Sequence, residues 1–286
     1  MRVNRVPSRA FALILTSLVL ACGGGSDGDG TDSEAALPPE ADTLRHTLAT
    51  VTRNEGDCRD SPADEEELPC VSVEISYPDV NGGPSQALAD SVRAFVLEVT
   101  TAPAGVYEEG TRSAPSADSA AALFVDGYMR VEEDMPSDFP RPWLLQREVR
   151  VVCNTPEFVS LRADESSYTG GAHGMTTARL ASFDPTTGRR LRLSDWVSDS
   201  AMALAAGEKA FREQRDIPDN QSYERAGFNV FADSGFAFND NVMRCGDMIT
   251  FHYDPYEIGP YAIGPTDLEV SFTAMTTPMD STTSSR

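Results

Sequence analysis

The sequence predicts an α+β protein: antiparallel sheets with a few packed helices, stapled by disulfides. Three observations lead there. Cys70-Val71-Ser72-Val73-Glu74-Ile75-Ser76-Tyr77 places apolar side chains at every second position, the period of a strand with one buried face. Segments with helical spacing are grouped between strands and do not follow each strand singly, which argues against a parallel βαβ arrangement. Cys58, Cys70, Cys153 and Cys245 leave an even number of thiols in the body of the chain, the pattern of a disulfide framework in an oxidising compartment.

The compartment is read from the N-terminus. Arg2, Arg5 and Arg9 precede Ala10 to Ala21, a run that is small and apolar except at Thr16 and Ser17. A basic start, a short apolar core and small residues at its end make residues 1–21 a secretory signal. The run is shorter than the ~20 residues that cross a bilayer. Val19-Leu20-Ala21-Cys22 resembles the bacterial lipobox, which implies cleavage before Cys22 and its acylation. Gly23 to Ser33 is rich in Gly, Ser and Asp, so residues 22–43 are expected to be a flexible tether. The expected location is the cell envelope, on the membrane through a lipid anchor. Gly23 after the cysteine, where an Asp would redirect sorting, favours the outer membrane if the host has one.

Leu44 to Arg53 alternates loosely and is taken as a first strand, followed by the strand from Cys70 to Tyr77 and a loop from Pro78 to Pro84. Ser85 is placed to cap a helix through Val99, with Leu88, Val92, Phe95 and Val99 on one face. A second helix is expected over Ser116–Glu133, with Ala120, Leu123, Phe124, Tyr128 and Val131 as its apolar stripe. These residues form an N-terminal α+β domain, 44–142. A second α+β domain, 143–275, opens with strands over Leu144–Cys153, Phe158–Tyr168 and Thr176–Phe183. A turn at Asp184–Gly188, a short strand at Arg190–Leu193 and a helix over Asp199–Gln214 follow. Further strands are expected near Gly235–Asn239, Met248–Tyr253 and Leu268–Phe272, and a disordered tail over 276–286.

Four cysteines allow three pairings. Cys58–Cys70 would close a short acidic loop, and Cys153–Cys245 would tie two strands together; these are the favoured pair. Zinc is the competing use, but there is no C-x-x-C and His46, His173 and His252 are scattered, so no metal and no cofactor are expected. The whole chain carries a formal charge of -22, and loss of the three arginines in residues 1–21 takes it to -25. Such a field repels nucleic acid and attracts cationic partners.

Two segments carry a resemblance. The first is Ser166-Ser167-Tyr168-Thr169-Gly170-Gly171-Ala172-His173-Gly174. The second runs from Phe251 through His252-Tyr253-Asp254-Pro255-Tyr256-Glu257-Ile258-Gly259-Pro260-Tyr261 to Gly264. Phe183 to Arg189 and Leu191 to Asp195 stand between them in order. Together they resemble the extracytoplasmic C-terminal domain of RsiV-type anti-sigma factors, found also beside the catalytic domain of PdaC-type peptidoglycan deacetylases. The resemblance covers Val149 to Thr273; Leu44 to Arg141 resembles the smaller domain that precedes it. It implies a compact α+β module with both motifs on loops beside the sheet. In the RsiV type this region grips lysozyme. By resemblance, Tyr168, Gly170, Gly171, His173, Gly174, Tyr256, Pro260 and Tyr261 would contact a partner: a cationic protein such as lysozyme, or cell-wall glycan. The sigma-binding segment, the spanning helix and the deacetylase domain of those relatives are not recognised here.

From the residues alone, His173 among glycines either locks a turn or meets a ligand, and Tyr256 and Tyr261 either cap the core or form an exposed aromatic ridge. Ser166 and Ser167 near His173 do not sit in a nucleophile elbow, and no phosphate loop or dinucleotide fingerprint occurs. The expectation is a binding protein and not an enzyme, with a lysozyme inhibitor or a carbohydrate-active enzyme as alternatives.

Overall fold

The computed structural model describes residues 43–56, 58, 70–104, 114–134 and 142–277. The expected signal, Cys22, the tether before Thr43 and the tail beyond Thr277 lie outside the described residues. Every described element belongs to one compact unit, Ala41–Arg286.

Six strands build the first sheet in the order of the chain: β1 (Arg45–Gly56), β2 (Cys70–Gly82), β3 (Trp143–Asn154), β4 (Val159–Thr169), β5 (Met175–Phe183) and β6 (Arg190–Leu191). Helices α1 (Gln86–Thr100) and α2 (Ala117–Asp134) connect β2 to β3. Their length returns the chain to the starting end of β2, so β2 and β3 pair in parallel while all other neighbours are antiparallel. This one parallel pair was not expected, because two helices in succession resemble a helical group more than a crossover. The expected division at 142/143 falls between these paired strands, within one sheet.

The α1 and α2 helices cover one face. Leu88, Val92, Phe95 and Val96 of α1 bury against Val149, Val159, Leu161 and Phe183. Ala121, Phe124 and Tyr128 of α2 bury against Val71, Val73, Trp143 and Leu145. Ser85 caps α1 as expected: its Oγ accepts from Leu88 N–H at 3.0 Å and donates to Pro185 O at 2.7 Å, fastening the helix to the turn before β6. That turn comes close enough to require glycine. Gly188 has φ 68°, and a Cβ there would lie 2.3 Å from Ala87 O. Within α2, Leu123 points to solvent at 47% exposure and Ala121 takes the buried place expected for it.

After α3 (Leu193–Trp196), α4 (Ser200–Gln214) and α5 (Val230–Ser234), a three-stranded sheet follows: β7 (Val242–Cys245), β8 (Met248–Tyr253) and β9 (Thr266–Ser271), ending in α6 (Phe272–Thr276). Its core centres on Phe211, Phe231, Phe251, Leu268 and Met275. It packs on the face of β4 and β5 that the helices leave open. There Ser160 Oγ donates to Arg244 O at 2.6 Å and Arg244 N–H donates to Ser182 Oγ at 3.0 Å.

Both favoured disulfides are present, Cys58–Cys70 at the start of β2 and Cys153–Cys245 between β3 and β7. Three other boundaries differ from expectation. β2 continues through Pro78 to Gly82, because beyond Ser76 it pairs with β1 alone and the missing proline donor is tolerated. Gly235–Asn239 is not a strand: Gly235 closes α5 at φ 76°, and Phe236 and Phe238 alternate into the core from an unpaired backbone. Thr276 ends a helix instead of beginning a tail.

Candidate functional site

The two motifs meet. β4 ends at Thr169, Gly170 turns the chain at φ 81°, and β5 resumes at Met175. Gly174 passes close to β4: a Cβ there would lie 3.1 Å from Ser167 O. The second motif leaves β8 at Tyr253, and Pro260 enters a 3-10 turn over Tyr261–Ile263. Tyr261 donates its hydroxyl to Gly174 O at 2.7 Å, which joins the loops. His173 stacks on the Tyr261 ring, centroids 3.7 Å apart and planes 19° from parallel.

The His173 ring is held by its nitrogens as well. Nδ1 donates to Gly174 O at 2.9 Å, and Nε2 lies within hydrogen-bond reach of the Tyr256 hydroxyl at 3.2 Å. With both nitrogens engaged, neither is left for Ser166 or Ser167 as a base. Tyr256 stands 55% exposed, its ring centroid 5.5 Å from that of Tyr261. Its backbone has φ 69°, a left-handed conformation uncommon for a residue with a Cβ. Tyr168 lies on β4 opposite Leu144 and enters no ring contact with the three among the described residues. The result is a platform in which the exposed His173 imidazole and Tyr256 phenol flank the half-buried Tyr261 phenol, with His173 and Tyr261 pinned to the Gly174 carbonyl.

A second arrangement was not foreseen. His252, in β8, is 3% exposed; its Nδ1 lies 2.6 Å from Asp267 Oδ1, and Nε2 lies 3.2 Å from Asp254 Oδ1, off the direction of a hydrogen bond. Asp254 also binds Arg179 at 2.8 Å, and Asp267 binds Arg162 at 2.9 Å. Alternating charges therefore run from β5 through β8 and β9 to β4, across the two sheets. Burial pushes the imidazole pKa down, but the hydrogen bond to Asp267 and the charges of both Asp254 and Asp267 outweigh it and raise it to about 9. Burial likewise opposes ionisation of both aspartates, yet His252 with Arg179, and His252 with Arg162, hold them below the usual carboxylate range. The signal for this cluster was His252 itself, the one imidazole in the buried run Ile249–Tyr253. Among the described residues no group of three or more His, Cys, Asp and Glu side chains is arranged to hold a metal ion.

These features define a disulfide-stapled α+β protein in which a loop of the larger sheet and a loop of the smaller one share an aromatic platform. Residues 64–176 match the family model described as Deacetylase PdaC, and residues 194–273 match that of a protein of unknown function, DUF3298. The chain is thus similar to PdaC over the first stretch and to DUF3298 over the second. Two solved structures share the fold. A DUF3298 family member from Bacteroides fragilis aligns with TM-score 0.57 at 19% identity, covering 82% of this chain and 93% of its own. A DUF3298 family protein from Pseudomonas aeruginosa PAO1 aligns with TM-score 0.52 at 18% identity, covering 81% and 92%. No curated protein matches the chain.

Proposed function

We propose that the chain is a lipid-anchored cell-envelope binding protein whose recognition surface is the His173–Tyr256–Tyr261 platform. The observation that carries this reading is the convergence of two motifs, 83 residues apart at their ring contact, into an exposed aromatic cluster. Rings fixed before binding lose little entropy on contact, and tyrosine presents both an apolar face and a hydroxyl. The partner is a cationic protein of the lysozyme type, consistent with the net charge of -22. Bound in its cleft, such a partner would also be inhibited.

Calorimetry of residues 30–286, which contain the whole described unit, with a C-type lysozyme at low and moderate salt tests the reading. Saturable binding that weakens with salt and is lost in Tyr261→Ala is expected. No heat at either salt from a folded, disulfide-bonded sample would remove the lysozyme reading. The anchor has its own test: Cys22→Ala should release the expressed chain from the membrane fraction.

A second reading, action on acetylated cell-wall glycan, is favoured by the PdaC match alone. The buried His252 is closed to a polymer. Acetate release from peptidoglycan, measured beside the binding experiment, would establish that reading in its place.

A further inference from the structure

We propose that β1 is a dimerisation edge: its outer side pairs antiparallel with β1 of a second copy, across a two-fold axis normal to the sheet. The two edges of the six-stranded sheet are finished differently. On the far side, the stretch of β5 that β6 does not reach is closed by side chains. Ala178 N–H donates to Asp254 Oδ1 at 3.0 Å and Leu180 N–H to Asn241 Oδ1 at 2.7 Å. Asn241 Nδ2 donates to Ala178 O at 2.8 Å, and Arg190 Nη2 to Leu180 O at 2.7 Å. No partner strand can add there.

Among the described residues β1 carries no such closure. It runs for 12 residues with β2 as its one strand partner among them. Among the described residues, its backbone from His46 to Thr52 makes no hydrogen bond outside the β2 ladder. Open edges are ordinarily blunted by charge, proline or a bulge. Thr47-Leu48-Ala49-Thr50-Val51-Thr52 has no charge and no proline, its irregularity lies outside at Arg45/His46, and Leu48 is 75% exposed.

A second copy fits this edge. Odd-numbered residues of β1 face the helices: Val51 packs with the α2 core and Arg53 pairs with Asp118 of α2. A two-fold normal to the sheet preserves its faces, so even positions must meet even positions and odd must meet odd. Centred on Thr50, the register sets Leu48 opposite Thr52, Ala49 opposite Val51, and Arg45 opposite Glu55 at both ends. Centred instead on Ala49, it would oppose Arg45 to Arg53, and like charges directly opposite are unfavourable. Because the other edge is closed, assembly stops at two copies and does not propagate.

Sedimentation equilibrium of residues 30–286 tests this, at ~0.15 M salt so that the chain's acidity is screened. One monomer–dimer equilibrium across the micromolar range is expected. Glu55→Arg should weaken it several-fold. Ala49→Pro and Thr50→Pro provide a stricter arm: adjacent residues of a strand alternate in which neighbour they hydrogen-bond, so one of the two loses only outward bonds. Whichever variant keeps the wild-type circular dichroism should be monomeric. A monomer at all concentrations, a dimer that survives in that folded variant, or growth beyond two copies would each overturn the proposal.

Discussion

Tyr256 holds φ 69° while its hydroxyl reaches His173 at 3.2 Å. A left-handed backbone at a residue with a Cβ costs ~1–2 kcal/mol, more than one exposed hydrogen bond of ~1 kcal/mol returns. The folded chain on its own would be better served by glycine. Tyr256→Gly is therefore expected to leave stability within ~1 kcal/mol of wild type or raise it, by the same balance of strain and hydrogen bond. Partner binding in that variant should fall by tenfold or more. Chemical denaturation and calorimetry on the same sample check both halves; a loss of several kcal/mol in stability would make Tyr256 a structural residue. At this scale the motifs were legible because glycines, a histidine and tyrosines are unusual together in loops. Their contact was not, since nothing in the spacing of His173 and Tyr261 announces a stacked pair. His252 carried a weaker signal for the opposite reason: it sits in a short strand that also holds Thr250 and is buried from Ile249 onward, and its partners Asp254 and Asp267 are ordinary acids until the hairpin folds them onto it.

The elements were readable where one physical signal dominated. Two-residue alternation gave β2 its start, and Ser85 with Leu88, Val92 and Phe95 gave α1 both its cap and its buried face. Reading failed where pairing decides the outcome. Pro78 stays in β2 because of which neighbour β2 has lost, and Phe236 and Phe238 alternate without a strand because no partner runs beside them. The parallel β2–β3 pair depends on where two helices deliver the chain, which local periodicity does not encode. The Cys153–Cys245 bridge, in contrast, followed from asking which strands four thiols could join. It links β3 to β7 over a separation of 92 residues, at the seam where the small sheet rests on the large one. In the chain-entropy view, a loop of that length contributes ~4–5 kcal/mol. Replacing both cysteines with serine should lower unfolding free energy by a large part of that amount. The Cys58–Cys70 pair, which closes a separation of 12 residues, should cost nearer ~3 kcal/mol on the same relation. Urea unfolding of the two double variants compares them directly, and an equal or reversed order would count against the loop-length account.

For the molecule as a whole, the seam between the sheets is also its pH-sensitive part. His252 bridges Asp254 and Asp267, and these reach Arg179 on β5 and Arg162 on β4, so its proton helps hold the small sheet on the large one. Folding raises its pKa from 6.5 to about 9, and the linked stabilisation is of order ~3 kcal/mol. The sign follows from which state holds the proton. Below pH 6.5 both states are protonated and the stabilisation is fully present; between 6.5 and about 9 the unfolded chain has released its proton while the folded chain keeps it, and the contribution declines to nothing. The aspartates act at the other end: their folded pKa values lie below the ordinary ones, so their contribution is present above the usual carboxylate range and lost as pH falls through the folded values. Tyr223 and Tyr253 are both raised above 10.0 and add a further loss only above that pH. Thermal unfolding should thus show a plateau near pH 5–6 and a decline from 6.5 to about 9 that belongs to His252. His252→Gln leaves two carboxylates facing an uncharged amide and should be less stable throughout. Its stability should nevertheless be flat across the interval where the parent declines. A His252→Gln curve parallel to that of the parent would assign the alkaline decline elsewhere and leave the bridge without a role in holding the sheets together.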